Sequence, residues 1–192
     1  MKKWIALFLC LLLLTGCGAN APAEEVQEES AAQTAEEVQE NANAFGAFSA
    51  ETLDGQTVTE AVFAEADLTV VNLWGTFCGP CISEMPTLGM LHEELENVQV
   101  LGIVLDCTDQ HGNPDADQVE VAKDIMETSG AAYPSLVLNQ SLAMIGMANF
   151  QYIPTTLFVD SDGNVVGSEA VGAMDEAMWR ETIAQRLEMA AQ

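Results

Sequence analysis

The segment that most restricts the fold of this chain is Trp74-Gly75-Thr76-Phe77-Cys78-Gly79-Pro80-Cys81-Ile82-Ser83-Glu84-Met85-Pro86. Ahead of it, residues 68–73 (Leu-Thr-Val-Val-Asn-Leu) form an apolar, β-branched run with the length of a fully buried strand. Behind it, Ile82, Met85, Leu88, Leu91 and Leu95 recur at three- and four-residue steps, which is one face of an amphipathic helix. The motif therefore lies where a buried strand gives way to a helix, with Pro80 in the first turn, where a missing N–H costs nothing. Two thiols two residues apart at a helix N-terminus form a redox device, because the unpaired N–H groups and the helix dipole favour a thiolate over a thiol. Cys78 is expected to be that thiolate.

The N-terminal stretch reads differently. Lys2 and Lys3 precede an apolar run, residues 4–14, with the charge and length of an export leader. Eleven residues are too few for a membrane-spanning helix, which takes about 20. Leu14-Thr15-Gly16-Cys17 follows and resembles a bacterial lipobox, which implies lipidation of Cys17 and cleavage before it, so residues 1–17 are expected to be a lipoprotein signal. Residues 18–44 carry seven Glu and no basic residue, and only Val26 and Val38 are bulky and apolar. With no face to bury, they are expected to form a disordered acidic linker with a root-mean-square reach of about 30 Å; a transient helix is the alternative. On this reading a diacylglyceryl anchor holds the protein at the outer face of a bacterial membrane and the linker lifts the folded part clear of it.

The folded body, residues 45–192, is expected to start with a hairpin: residues 48–53, an Asp54-Gly55 turn and residues 56–59, with Val62 and Phe63 packing at the sheet edge. The motif helix should end near Asn97, and residues 98–105 form a second continuous apolar strand of the parallel, doubly covered kind. Residues 106–117 read as a loop, followed by a helix closing at Gly130, a short strand at 135–138 and a brief helix at 142–147. Residues 155–160, the turn at 161–164 and residues 165–171 read as a second hairpin, and a last amphipathic helix runs from about Asp175 through Trp179, Ile183 and Leu187.

Composition narrows the partners. Thirty acidic residues against five basic ones give a net charge of −25, which repels phosphate backbones and makes nucleic acid an improbable ligand. Of five cysteines, Cys10 and Cys17 belong to the leader, Cys78 and Cys81 form the motif, and Cys107 is left over. His92 and His111 have no partners at metal-ligand spacing, and the methionines read as packing.

The motif residues Trp74, Cys78, Gly79, Pro80, Cys81, Glu84 and Pro86, with Ile153, Pro154 and Thr155 far downstream, resemble those of thioredoxin-fold thiol-disulfide oxidoreductases, specifically the membrane-tethered TlpA/ResA-like branch. The resemblance implies an α/β fold, a central mixed β-sheet flanked by helices, with an N-terminal hairpin and a TlpA-like insertion between the motif helix and the proline loop. It implies that Cys78 attacks a substrate disulfide and Cys81 resolves the mixed disulfide, with no cofactor. It makes Glu84 part of the active site, where a carboxylate one turn on from Cys81 can take its proton; the alternative is a solvated first-turn acid. The buried acid that a plain thioredoxin carries on the preceding strand is replaced by Asn72.

The resemblance also implies a cis Ile153-Pro154 bond and substrate contacts from Ile153, Pro154 and Thr155. Trp74 is expected to be partly exposed and to cover the cysteines, with plain core packing as the alternative. Cys107, just past a parallel strand, is either near the site or a buried small hydrophobe. The function expected is the reduction of protein disulfides outside the cytoplasm, for example in cytochrome c maturation or envelope thiol repair, with electrons from a membrane donor of the CcdA/DsbD kind. A disulfide-forming oxidase, and a thiolate metal-binding or chaperone module recruiting Cys107, are the competing readings. A peroxidase is disfavoured by the lack of an isolated peroxidatic cysteine.

Overall fold

The structure, a computed structural model, describes residues 44–192. The leader, Cys17 and the linker up to residue 43 lie outside the described residues. A five-stranded mixed sheet organises the rest, in the order β5-β4-β3-β6-β7. Strands β3 (Leu68–Trp74), β4 (Val98–Val104) and β5 (Ser135–Val137) run parallel; on the other side of β3, β6 (Thr155–Asp160) pairs antiparallel with it, and β7 (Ala170–Val171) pairs antiparallel with β6. All seven residues of β3 are buried, as an unbroken apolar run in the middle of a doubly covered sheet requires. Helix α1 (Gly79–Glu94) connects β3 to β4, α2 (Ala116–Ser129) connects β4 to β5, α3 (Gln140–Met144) follows β5, and α4 (Glu176–Ala190) closes the chain. The hairpin of β1 (Ser49–Glu51) and β2 (Thr57–Thr59) forms its own two-stranded sheet, turning at Asp54-Gly55, where Gly55 takes the left-handed φ of 76°. This is the mixed sheet, flanking helices, hairpin and β-α-β insertion expected from the sequence.

Side chains alternate across the sheet and divide the core into two clusters. One gathers Leu68, Val70 and Trp74 of β3, Phe158 of β6, Met85, Leu88 and Leu91 of α1, and Trp179 and Ile183 of α4. The other gathers Val71 and Leu73 of β3, Leu157 and Val159 of β6, and Leu142 of α3 with three phenylalanines, Phe45, Phe48 and Phe63. The phenylalanine rings meet edge to face, at centroid distances of 5.0 to 6.0 Å.

Several boundaries differ from the sequence reading, each for a local reason. Residues 60–65 form a 3₁₀ helix capped by Thr59, and it turns Phe63 inward to the aromatic trio rather than along a sheet edge. Helix α1 stops at Glu94, where Leu95 leaves helical geometry with its N–H still on the Leu91 carbonyl. The loop after β4 is shorter than expected because Asp115 caps α2, accepting from the N–H groups of Asp117 and Gln118. At the other end of α2, Gly130 supplies the left-handed C-cap that its position suggested. The return strand of the second hairpin is not continuous: it touches β6 at Val165 and again only at Ala170–Val171. Arg186 of α4 fills the interruption, stacking 5.0 Å from the Phe158 ring centroid and donating to the Ser168 carbonyl.

Candidate active site

The site is assembled where β3 ends. Cys78 is the N-cap of α1 and Cys81 lies in its first turn; the two are joined in a disulfide, with Cα atoms 5.3 Å apart. The Cys81 N–H donates to Cys78 Sγ at 3.2 Å, so the helix terminus aims a donor at the first sulfur, as the sequence required of a thiolate site. Cys78 is 6% exposed and Cys81 fully buried, which leaves Cys78 as the one an incoming group reaches first.

The loop that delivers Cys78 is fastened on two sides. The Thr76 N–H donates to both carboxylate oxygens of Asp106, at 3.0 and 3.2 Å, its hydroxyl donates to the same carboxylate, and Gln118 of α2 donates to that hydroxyl. Gly75 lies so close to the Phe77 ring and Ile153 that an added Cβ would stand 3.0 Å from one and 3.2 Å from the other. Ile153 therefore packs against the loop in front of Cys78. The Ile153-Pro154 bond is cis, as the resemblance implied. Pro154 is buried and its carbonyl accepts from the Gly172 N–H at 2.8 Å. Thr155 is buried too, with its hydroxyl donating to the Tyr152 carbonyl, so its side chain is not offered to a substrate. Phe77 and Tyr152, which the sequence reading did not single out, are the exposed aromatics of these two loops, at 77% and 69%.

Trp74 corrects an expectation. It is not partly exposed over the cysteines but fully buried, and its indole N–H reaches across β4 to donate to Ser135 Oγ of β5 at 2.9 Å. The crossing is possible because the intervening β4 residue is Gly102; a Cβ there would come within 2.7 Å of Ser135 Oγ and 3.2 Å of the indole nitrogen.

Glu84 is 2% exposed, which rules out the solvated first-turn acid. Its Oε1 accepts from Asn72 Nδ2 at 3.0 Å and its Oε2 from the Met174 N–H at 3.1 Å. Burial drives its pKa up from 4.5 to about 7, against the opposing pull of the Met174 N–H, the Asn72 amide and the nearby Trp179 indole. The Trp179 indole N–H makes no hydrogen bond, and it favours the carboxylate only as a nearby dipole. Asn72, Thr156 and Tyr133 are the polar neighbours that complete this buried pocket. Thr156, which the sequence reading did not single out, is one of three polar residues of β6, and only the β3–β6 register sets it beside Asn72.

Cys107 is fully buried and its S–H donates to the Gln118 carbonyl at 3.4 Å. Burial first, then the charges of Asp106 and Asp115, push its thiol up to about 12. It is the buried small residue of the two sequence readings, and it stays protonated at neutral pH, which makes it a poor thiolate ligand. Among the described residues no group of His, Cys, Asp and Glu is placed to hold a metal, and no helix is long and apolar enough to cross a membrane.

Comparison with known proteins places this geometry in context. Over 97 residues the chain is 31% identical to the thiol-disulfide oxidoreductase ResA of Bacillus thuringiensis (strain Al Hakam), an alignment covering 50% of each chain. The chain thus spans about half the length of the curated relatives it matches first. At 25% identity, 192 aligned residues cover 97% of this chain and 94% of the thiol:disulfide interchange protein DsbE of Pseudomonas fluorescens biotype C. The solved structure of a thioredoxin-family thiol:disulfide interchange protein from Chlorobium tepidum TLS superposes with a TM-score of 0.61 at 24% identity, covering 76% of this chain and 96% of that one. At that identity the likeness is one of fold, and the fold is thioredoxin's. The family model described as AhpC/TSA matches residues 42–168, more than half of the sequence, and the chain belongs to the AhpC/TSA family.

Proposed function

We propose that this chain is a thiol-disulfide oxidoreductase that reduces protein disulfides outside the cytoplasm. The observation that carries the reading is the Cys78–Cys81 disulfide at the N-terminus of α1, with a buried carboxyl one helical turn beyond it. In the reduced protein the Cys78 thiolate attacks one sulfur of a substrate disulfide, and the other sulfur leaves as a thiolate. Cys81 then loses its proton and attacks Cys78 Sγ, closing the disulfide and releasing the second substrate thiolate; the two electrons gained by the substrate come from the two cysteines. Glu84, titrating near neutral pH, is the base that takes the Cys81 proton. The names of the ResA and DsbE relatives support this assignment.

The cis-proline loop supports a role in substrate contact for Ile153 and Pro154, with Thr155 contributing through its backbone. The lipobox-like Leu14-Thr15-Gly16-Cys17 supports a lipid tether at Cys17, a linker to residue 44 and a folded body from 45. A membrane thiol donor of the CcdA/DsbD kind would return the pair to the reduced state, and cytochrome c maturation or envelope thiol repair is the setting this suits.

Alkylating Cys78 in the reduced protein, or making Cys78→Ser, is expected to drop reduction of a protein disulfide to background; retained activity refutes the reading. The potential of the pair is expected near the thioredoxin value of about −270 mV, and a value near −120 mV would make the protein an oxidase instead. Cys17→Ala is expected to move the protein from the membrane to the soluble fraction, and persistence in the membrane removes the tether.

A further inference from the structure

The pocket around Glu84 contains an unpaired group that the proposed exchange reaction does not use. Asn72 is fully buried in the middle of β3. It stands in antiparallel register with Thr156 of β6. Its Nδ2 donates to Glu84 Oε1 and to Thr156 Oγ1, both at 3.0 Å, while its Oδ1 has no partner. A buried acceptor without a donor is costly, and an apolar residue of the same shape would avoid it.

We propose that Asn72 is a positioning residue with two settings, its side-chain amide turning over by half a turn when Glu84 gains a proton, so that each protonation state of Glu84 meets a matched partner. This rests on Glu84 being the base for Cys81. The geometry supports the turn in three ways. The NH2 and C=O ends of an amide are nearly the same size, so the rotation needs no new space. Glu84 Oε2 already accepts from the Met174 N–H, so an added proton belongs on Oε1, the oxygen facing Asn72. With the amide held as it stands, that O–H would face the NH2 group, donor against donor. Once the amide has turned, Oδ1 offers two lone pairs in the directions Nδ2 now occupies; one accepts from the Glu84 O–H and the other from the Thr156 hydroxyl. The atom unpaired in the carboxylate state is the one used in the acid state, and the NH2 group then takes the unpartnered position, so each setting leaves one end of the amide without a partner.

The titratable groups facing Glu84 among the described residues are few. On its own helix there is Cys81, and from the segment before β5 comes Tyr133, whose phenol burial and the Glu84 charge push well above its usual range. Its other neighbours, Asn72 of β3, Thr156 of β6 and Met174 and Trp179 at and near the start of α4, do not titrate.

The test is an NMR titration of the full-length, isotope-labelled chain in its disulfide form, where neither Cys78 nor Cys81 titrates. The contact between the Asn72 Nδ2 protons and the Thr156 methyl is expected above the Glu84 midpoint and lost below it, with the Asn72 15Nδ2 shift following the same midpoint as the Glu84 carboxyl carbon. A contact that persists unchanged through the Glu84 titration, or a Glu84 that does not titrate, overturns the proposal. Asn72→Leu gives a second reading. If the amide is fixed, only the carboxylate loses a partner and the proton affinity of Glu84 rises about tenfold or more; if it turns, both states lose one and the rise stays below about threefold. Should the amide turn while Glu84→Gln leaves Cys81 resolution rates unchanged in the reduced protein, the coupled turn of Asn72 stands, but Glu84 loses its part in the chemistry and Asn72 its positioning role.

Discussion

The two sides of the central sheet are built from the same strands and serve different ends. Against one side lie Phe45, Phe48, Phe63, Leu142 and Met147, whose cluster with the strands is hydrocarbon and one thioether, with the uncharged hydroxyls of Thr69 and Thr155 buried on the same strand faces. Against the other lie a disulfide, a buried carboxyl, an amide and two indoles, packed among the same kinds of aliphatic residue. The first arrangement is what burial alone favours. The second places groups that are expensive to desolvate where hydrogen bonds and charge are tuned by their surroundings. Stability and chemistry are thus separated by the thickness of one sheet, and a change on one side should leave the other's property in place.

Phe63→Ala is the strongest test of that separation. Removing a ring that is 1% exposed and touches two others should cost about 3 to 5 kcal/mol of unfolding free energy in a denaturant titration. The potential of the Cys78–Cys81 pair should stay at the parent value, and a large shift in it would mean the two sides are coupled.

Glu84→Gln probes the opposite side. The folded chain binds the Glu84 proton more tightly than the unfolded one, from about 7 against 4.5. The stability this contributes is complete below about pH 4.5 and is lost as pH rises through about 7, a change on the order of 3 kcal/mol. In the disulfide form, urea midpoints should fall across that window in the parent and run nearly flat through it in Glu84→Gln. An unchanged slope in the variant would show that some other group is titrating.

Gly102→Ala should cost less, about 1 to 3 kcal/mol, because the new methyl pushes Ser135 Oγ and the Trp74 indole apart. Loss of the Trp74 hydrogen bond should appear as a shift in tryptophan emission; stability and emission both at parent values would mean the neighbours give way freely.

What could be read from the sequence follows the same division. The strands β3 and β4 and the helix after the cysteines were legible because continuous apolar runs and three-to-four spacing are local signals. Gly130 marked the end of α2 for the same reason. The burial of Trp74 was not legible: it depends on Gly102 and Ser135, which only the register of three strands brings beside it. Glu84 read as part of the active site mainly through the resemblance, with a solvated helix acid as the alternative, and its burial was out of view because Met174 and Trp179, which close over it, come some ninety residues later. The broken return strand was missed because Arg186, the residue that occupies the gap, belongs to another element. Asn72 was visible as a polar letter in an apolar run, but its pairing with Thr156 needed the β3–β6 register.

The bonds from Asp106 and Gln118 to Thr76 bear on how the protein meets its partners. They hold the approach to Cys78 from within, through Asp106 of the loop after β4 and Gln118 of α2. On the proposed function, a substrate meets a loop already fastened in place, and little of its binding energy is diverted into ordering it. Capture speed should then track diffusion and the strongly negative field of the chain, rising with added salt for acidic partners and falling for basic ones.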